Sequence, residues 1–159
     1  MVSKLREQVI EFHRAFGVPV RTTPNVPDRE RVILRLSLLA EEFFEVLDSC
    51  APDGFSKMTD KLQEASDAVT DAIDMLHAKD IRLHELAKEL ADVDYIVEGT
   101  RLEFGLNGEP IAAAVHSSNL AKLGENGQVC MRADGKITKP ETWAPPDIEG
   151  ELRRQGWQP

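Results

Sequence analysis

At 159 residues the chain can bury one sizeable core, and its 42% hydrophobic and 30% charged residues are those of a globular domain. A net charge of −9 repels a phosphate backbone unless a cation stands between them, which argues against direct nucleic-acid binding. Cys50 and Cys130 lie far apart without metal-ligand spacing, so neither a disulfide framework nor a zinc site is expected, and no apolar run approaches a membrane span, so we expect a cytoplasmic protein with no membrane contact.

Residues 3–16 carry Leu5, Val9, Phe12 and Phe16 at helical spacing, with Ser3 as N-cap and Gly17 just beyond. Residues 17–27 (GVPVRTTPNVP) hold three prolines and form an extended connector. Asp28 then caps a second helix over 29–49. A third over 56–78 has Leu62, Ala65, Val69, Ala72, Ile73 and Leu76 on one side, and a fourth over 81–105 runs to Gly105 and the Asn107-Gly108 turn. Pro110 opens a fifth helix that stops at Gly124. After it periodicity is lost: GENGQVCMRADGKITKPETWAPPD is rich in turn formers, and Asn126-Gly127 and Asp134-Gly135 can flank the strands of a small hairpin. The expected fold class is all-α, a single domain over 1–159. Its bundle of about five helices occupies 1–124 and its irregular C-terminal arm 125–159.

The acidic residues on these helices are of two kinds. In the third helix Asp60, Glu64, Asp67, Asp71 and Asp74 make one stripe opposite the apolar side, the pattern of a solvated surface. In the second helix Glu41, Glu42 and Glu45 instead share an arc with Leu34 and Leu38, and the other sides carry Val32, Leu36, Leu39, Phe43, Phe44 and Leu47. Glu89 and Asp92 of the fourth helix are spaced by three, with Leu86, Val93 and Ile96 around Glu89, which places Glu89 toward the core side. Burying several carboxylates is costly unless protons, basic partners or a metal neutralise them. Arg31 and Arg35 could pair with one or two, leaving the rest over, whereas a hard divalent cation accepts oxygen ligands in number. With no histidine or cysteine in the set, Mg²⁺ or Mn²⁺ is favoured over zinc.

EExxE (Glu41, Glu42, Glu45) followed by ExxD (Glu89, Asp92), together with the opening FHRAFGVPV and the tail HSSNLAKLGENGQVCMRADGKITKPETWAPPD, resembles the all-α NTP pyrophosphatases, the superfamily of MazG, dimeric dUTPases and phosphoribosyl-ATP pyrophosphohydrolase. The resemblance runs from about residue 9 to 147, with a longer stretch between the two acidic motifs than in the compact members. It implies that Glu41, Glu42, Glu45, Glu89 and Asp92 are both catalytic and metal-binding. Two or more Mg²⁺ ions per site, with Mn²⁺ as substitute, would serve cleavage of a nucleoside triphosphate to the monophosphate and pyrophosphate. It also implies a homodimer. His116, Asn119 and Lys122 fall on one arc of the fifth helix and resemble the family's substrate-binding segment.

Arg132, Lys136 and Lys139 add positive charge around the Asp134-Gly135 turn, as a polyphosphate requires, or as a solvated basic loop would show. Trp143, between Pro140 and Pro145, either packs the arm on the bundle or stacks on a base. The expected function is a Mg²⁺-dependent pyrophosphohydrolase acting on dUTP. Phosphoribosyl-ATP, dCTP and a non-catalytic helical interaction module are the alternatives.

Overall fold

A computed structural model describes residues 3–51, 56–124, 127–129 and 138–159. It is all-α: α1 (Lys4–Ala15), α2 (Arg29–Asp48), α3 (Ser56–Asp74), a 3-10 turn (Ala78–Asp80), α4 (Leu83–Glu103), α5 (Gly108–Leu120) and α6 (Ile148–Arg154). The chain forms two compact units, residues 23–90 and residues 1–22 with 91–159, and α4 runs through the boundary.

In the first unit α2 packs on α3. Asp28 accepts the Arg31 amide at 2.8 Å, satisfying one of the orphan donors of the α2 N-terminus. Next to it, Arg29 reaches the other end of the neighbouring helix, where its guanidinium donates to the Leu76 carbonyl at 2.9 Å and to that of Asp74. A cation at a helix C-terminus meets both the orphan carbonyls and the negative end of the helix dipole. This is one reason α3 stops at Asp74 and not at 78. Met75 and Leu76 turn back onto Ala72 and Ile73 in tight three-residue steps.

In the second unit α1 packs on α5, and α5 on α6. Ser3 caps α1 through the Arg6 amide at 3.2 Å, Phe12 and Phe16 stack with centroids 4.2 Å apart, and Gly17, at φ +66°, takes the left-handed turn that ends the helix. Asn107 caps α5 two residues earlier than the sequence suggests, so Pro110 is its third residue, not its first. The helix also closes earlier, at Leu120, and Lys122 lies in the turn beyond it. From there Leu123 pairs antiparallel with Val129 in a single bridge, while Gly124 N–H donates to the Gln128 carbonyl. That bridge is all of the hairpin that the described residues contain; Asp134-Gly135 lies outside them.

The arm is less irregular than its composition suggests, because it ends in α6. Asp147 accepts the Gly150 amide at 2.9 Å, and Gln155 clamps the backbone of Asn107, accepting from its N–H at 2.8 Å and donating to its carbonyl at 3.1 Å. Beneath that clamp Glu151 is buried and accepts from Gln155 and Arg154, whose hydrogen bonds hold its carboxyl below the usual range of 4.5. A carboxyl lowered in the folded state contributes stability that is present above its unfolded pKa and is lost as pH falls through the folded one. Glu151→Gln therefore melts below the parent at pH 7, and the gap closes on acidification below the usual glutamate range. Thermal melts from pH 7 to pH 3 check this; a gap that does not change with pH shows that the charge is irrelevant.

Candidate active site

Glu41, Glu42 and Glu45 lie in the second half of α2 and are exposed. Among the described residues no basic side chain pairs with any of them. The argininic partners considered from sequence are placed elsewhere: Arg31 and Arg35 border an apolar groove of α2 with Leu36, Leu39, Leu86 and Leu90. Glu41 and Glu45, with Asp48 one turn further on, open onto a cleft of about 510 Å³ between α2 and α3, whose far wall is Thr59, Leu62, Gln63, Ser66 and Thr70, polar but for the leucine. Glu42 is not among the residues that line this cleft. Asp48 and the α3 wall were not singled out from sequence, although Asp48 follows Glu41 and Glu45 at helical spacing. The α3 stripe of Asp60, Glu64, Asp67, Asp71 and Asp74 is exposed, as its pattern predicts.

Glu89 and Asp92 stand one turn apart on α4. The core-side placement expected of Glu89 is not observed: its side chain is 64% exposed and pairs with Lys88 at 3.1 Å. The reason is that Val93 and Ile96, the apolar neighbours that suggested burial, are themselves exposed. Among the described residues no three His, Cys, Asp or Glu side chains converge closely enough to hold a metal ion. In donor chemistry the five acids fit a hard divalent cation, since all are carboxylates and the three on α2 meet no competing cation among the described residues.

On α5, His116 Nε2 meets Glu11 of α1 at 3.1 Å, and Asn119 Oδ1 accepts from the Lys122 ammonium at 2.8 Å. Both His116 and Asn119 border a largely apolar cavity of about 310 Å³ between α1 and α5, with Val9, Phe12, Ile111 and Val115. Glu11 was missed from sequence because nothing local links positions 105 residues apart. In the arm, Trp143 Nε1 donates to the Ser118 carbonyl at 2.9 Å and Lys139 sits over its ring at 4.0 Å from the centroid. Arg132 and Lys136 lie outside the described residues.

The phosphoribosyl-ATP pyrophosphohydrolase family model matches residues 9–119, from α1 to Asn119, and so includes all five acids. A crystal structure of a candidate NTP pyrophosphohydrolase from Exiguobacterium sp. 255-15 is similar to the chain with a TM-score of 0.75 and 28% identity, covering 98% of each chain. No curated protein matches. No helix among the described residues is long and apolar enough to cross a membrane.

Proposed function

The chain belongs to the phosphoribosyl-ATP pyrophosphohydrolase family, among the all-α NTP pyrophosphatases, and is an NTP pyrophosphohydrolase; within that class we propose that it is Mg²⁺-dependent and acts on dUTP, yielding dUMP and pyrophosphate. The observation that carries the metal reading is the set of three α2 glutamates, exposed and unpaired with any described base, in a family whose substrates are themselves polyanions. An acidic protein binds a triphosphate through bridging cations and a few basic side chains. Glu41, Glu42, Glu45, Glu89 and Asp92 would hold Mg²⁺. When bound, the ion would screen phosphate charge, lower the pKa of a coordinated water and stabilise the transition state.

The chain's own polar groups would do the rest. Lys122, braced by Asn119, and Lys139, braced by Trp143, would take phosphate oxygens, joined by Arg132 and Lys136 of the arm. His116, oriented by Glu11, would contact the substrate from the α1 side. Water adds to one phosphorus of the α–β phosphoanhydride as its bond to the bridging oxygen breaks, giving dUMP and pyrophosphate with release of a proton. The dUTP reading rests on the tail's resemblance to MazG-like members close to the dUTPase branch. Phosphoribosyl-ATP is the second reading, favoured by the family that matches.

A panel of dUTP, dCTP, the other common nucleoside triphosphates and phosphoribosyl-ATP, assayed for pyrophosphate release with Mg²⁺ and with EDTA, separates these. The proposal expects dUTP to give the highest kcat/KM and EDTA to abolish release. Preference for phosphoribosyl-ATP overturns the substrate assignment, and EDTA-resistant turnover overturns the metal.

A further inference from the structure

Ser118 is buried, and it is bonded to the arm in both directions: its hydroxyl donates to the Ala144 carbonyl at 2.9 Å, and its own carbonyl accepts the Trp143 indole N–H at 2.9 Å. Two bonds of opposite sense between one helical residue and two consecutive arm residues fix register as well as distance. A turn precedes them, closed by the Trp143 amide on the Pro140 carbonyl at 2.9 Å, and it folds Lys139 back over the indole. An ammonium 4.0 Å from a tryptophan centroid is well within cation–π range. The next residue after Ser118 is Asn119, whose amide oxygen holds Lys122.

We propose that Trp143 is a positioning residue: clasped to Ser118, it holds the Lys139 ammonium at the end of α5 that carries Asn119 and Lys122, so that two fixed cations form one pyrophosphate-binding site. The indole N–H is engaged with the helix and a ring face with the lysine, so the ring acts on the substrate through Lys139 and not by stacking on the base. The inference rests on the hydrolase reading only for its choice of anion. A loose lysine loses side-chain entropy on binding phosphate, whereas one already seated on a ring has lost much of it beforehand.

The test uses the full chain with Trp157→Phe, which leaves Trp143 as the one tryptophan of the two in the sequence. Titration with inorganic pyrophosphate and Mg²⁺ shifts Trp143 emission saturably as the anion's charge pairs with the Lys139 ammonium held on the ring, and Lys139→Met removes the shift. Lys139→Met and Trp143→Ala each raise KM for the preferred triphosphate by roughly tenfold with kcat largely kept, the size of a cation–π contact. Because both act through one group, the double variant is no worse than either alone. Trp143→Phe, which keeps a ring but lacks the N–H, falls between parent and Trp143→Ala. Additive effects on KM overturn the proposal, as does unchanged emission in a Trp157→Phe chain that still releases pyrophosphate. If that chain hydrolyses no triphosphate yet shows the Lys139-dependent shift, the anion site stands and the hydrolase reading fails.

Discussion

Glu42→Gln and Glu89→Gln each reduce Mg²⁺-dependent turnover by more than about 100-fold, since even outer-shell partners of a metal ligand cost 10–100-fold when removed. Glutamine keeps the shape and the acceptor oxygen of glutamate and removes its charge. The effect therefore isolates the attraction between carboxylate and cation. Neither residue contributes an internal contact whose loss would unfold the chain: Glu42 is exposed and Glu89 pairs with an exposed lysine, a pairing worth little. Without Mg²⁺ both variants melt at or above the parent, because like charges on adjacent turns are relieved. With Mg²⁺ the order reverses, since only the parent gains the stability that a bound ion confers. Asp67→Asn is the control. Its carboxylate accepts from Gln63 at 2.8 Å on the solvated face of α3, and its activity stays within twofold or so of the parent, as for most surface substitutions. Full activity in Glu42→Gln or Glu89→Gln would sink the site, and a large loss in Asp67→Asn would show that the α3 stripe has been misread.

The helices with local signals were legible in the sequence, and those held by distant partners were less so. Ser3 and Asp28 announce α1 and α2 because an N-cap bonds within its own first turn. The end of α3 was misplaced because the group that stops it, Arg29, comes from another helix, 45 and 47 residues away in the chain from the carbonyls it takes. The seven residues of α6 are too few to form a helix on local propensity, and Gly150 weakens them further. Its stability comes from Gln155 gripping Asn107, 48 residues away, and no periodicity encodes that. At the site the pattern was similar. EExxE and ExxD give the acids and their spacing, while the α3 wall of the cleft, the Glu11–His116 pair and the Ser118–Trp143 clasp each join elements through tertiary contact. The exposure of Glu89 was missed for a different reason. Apolar neighbours on a helix face indicate that the face is covered by something, and they do not say that the same chain covers it.

That distinction leads to the second large expected effect: the chain is expected to sediment as a dimer of 17.7 kDa subunits at micromolar concentration, and Ile96→Glu to lower both its assembly and its activity. On α4, Tyr95 is 81%, Ile96 68% and Leu102 72% exposed, and Phe104, in the turn just beyond it, is 73% exposed. Ile96 follows Glu89 and Asp92 along one face, and Tyr95 and Leu102 lie on the other, so the helix is apolar on both sides. A helix of that kind is stable in water only when buried. On α2 the same holds for Leu38, Phe43 and Val46, all exposed. Each large apolar side chain taken out of water contributes about 1.5–3 kcal/mol, and a twofold interface counts every such residue twice. Ile96→Glu puts two negative charges into that interface, beside acids already present, which couples loss of assembly to loss of turnover. Glu98→Gln, whose carboxylate faces solvent in a pair with Arg101 at 3.1 Å, leaves both unchanged. Sedimentation velocity read alongside pyrophosphate release decides the matter. A single 17.7 kDa species with full activity refutes the dimer, and an Ile96→Glu chain that remains dimeric and active shows that α4 is covered in some other way.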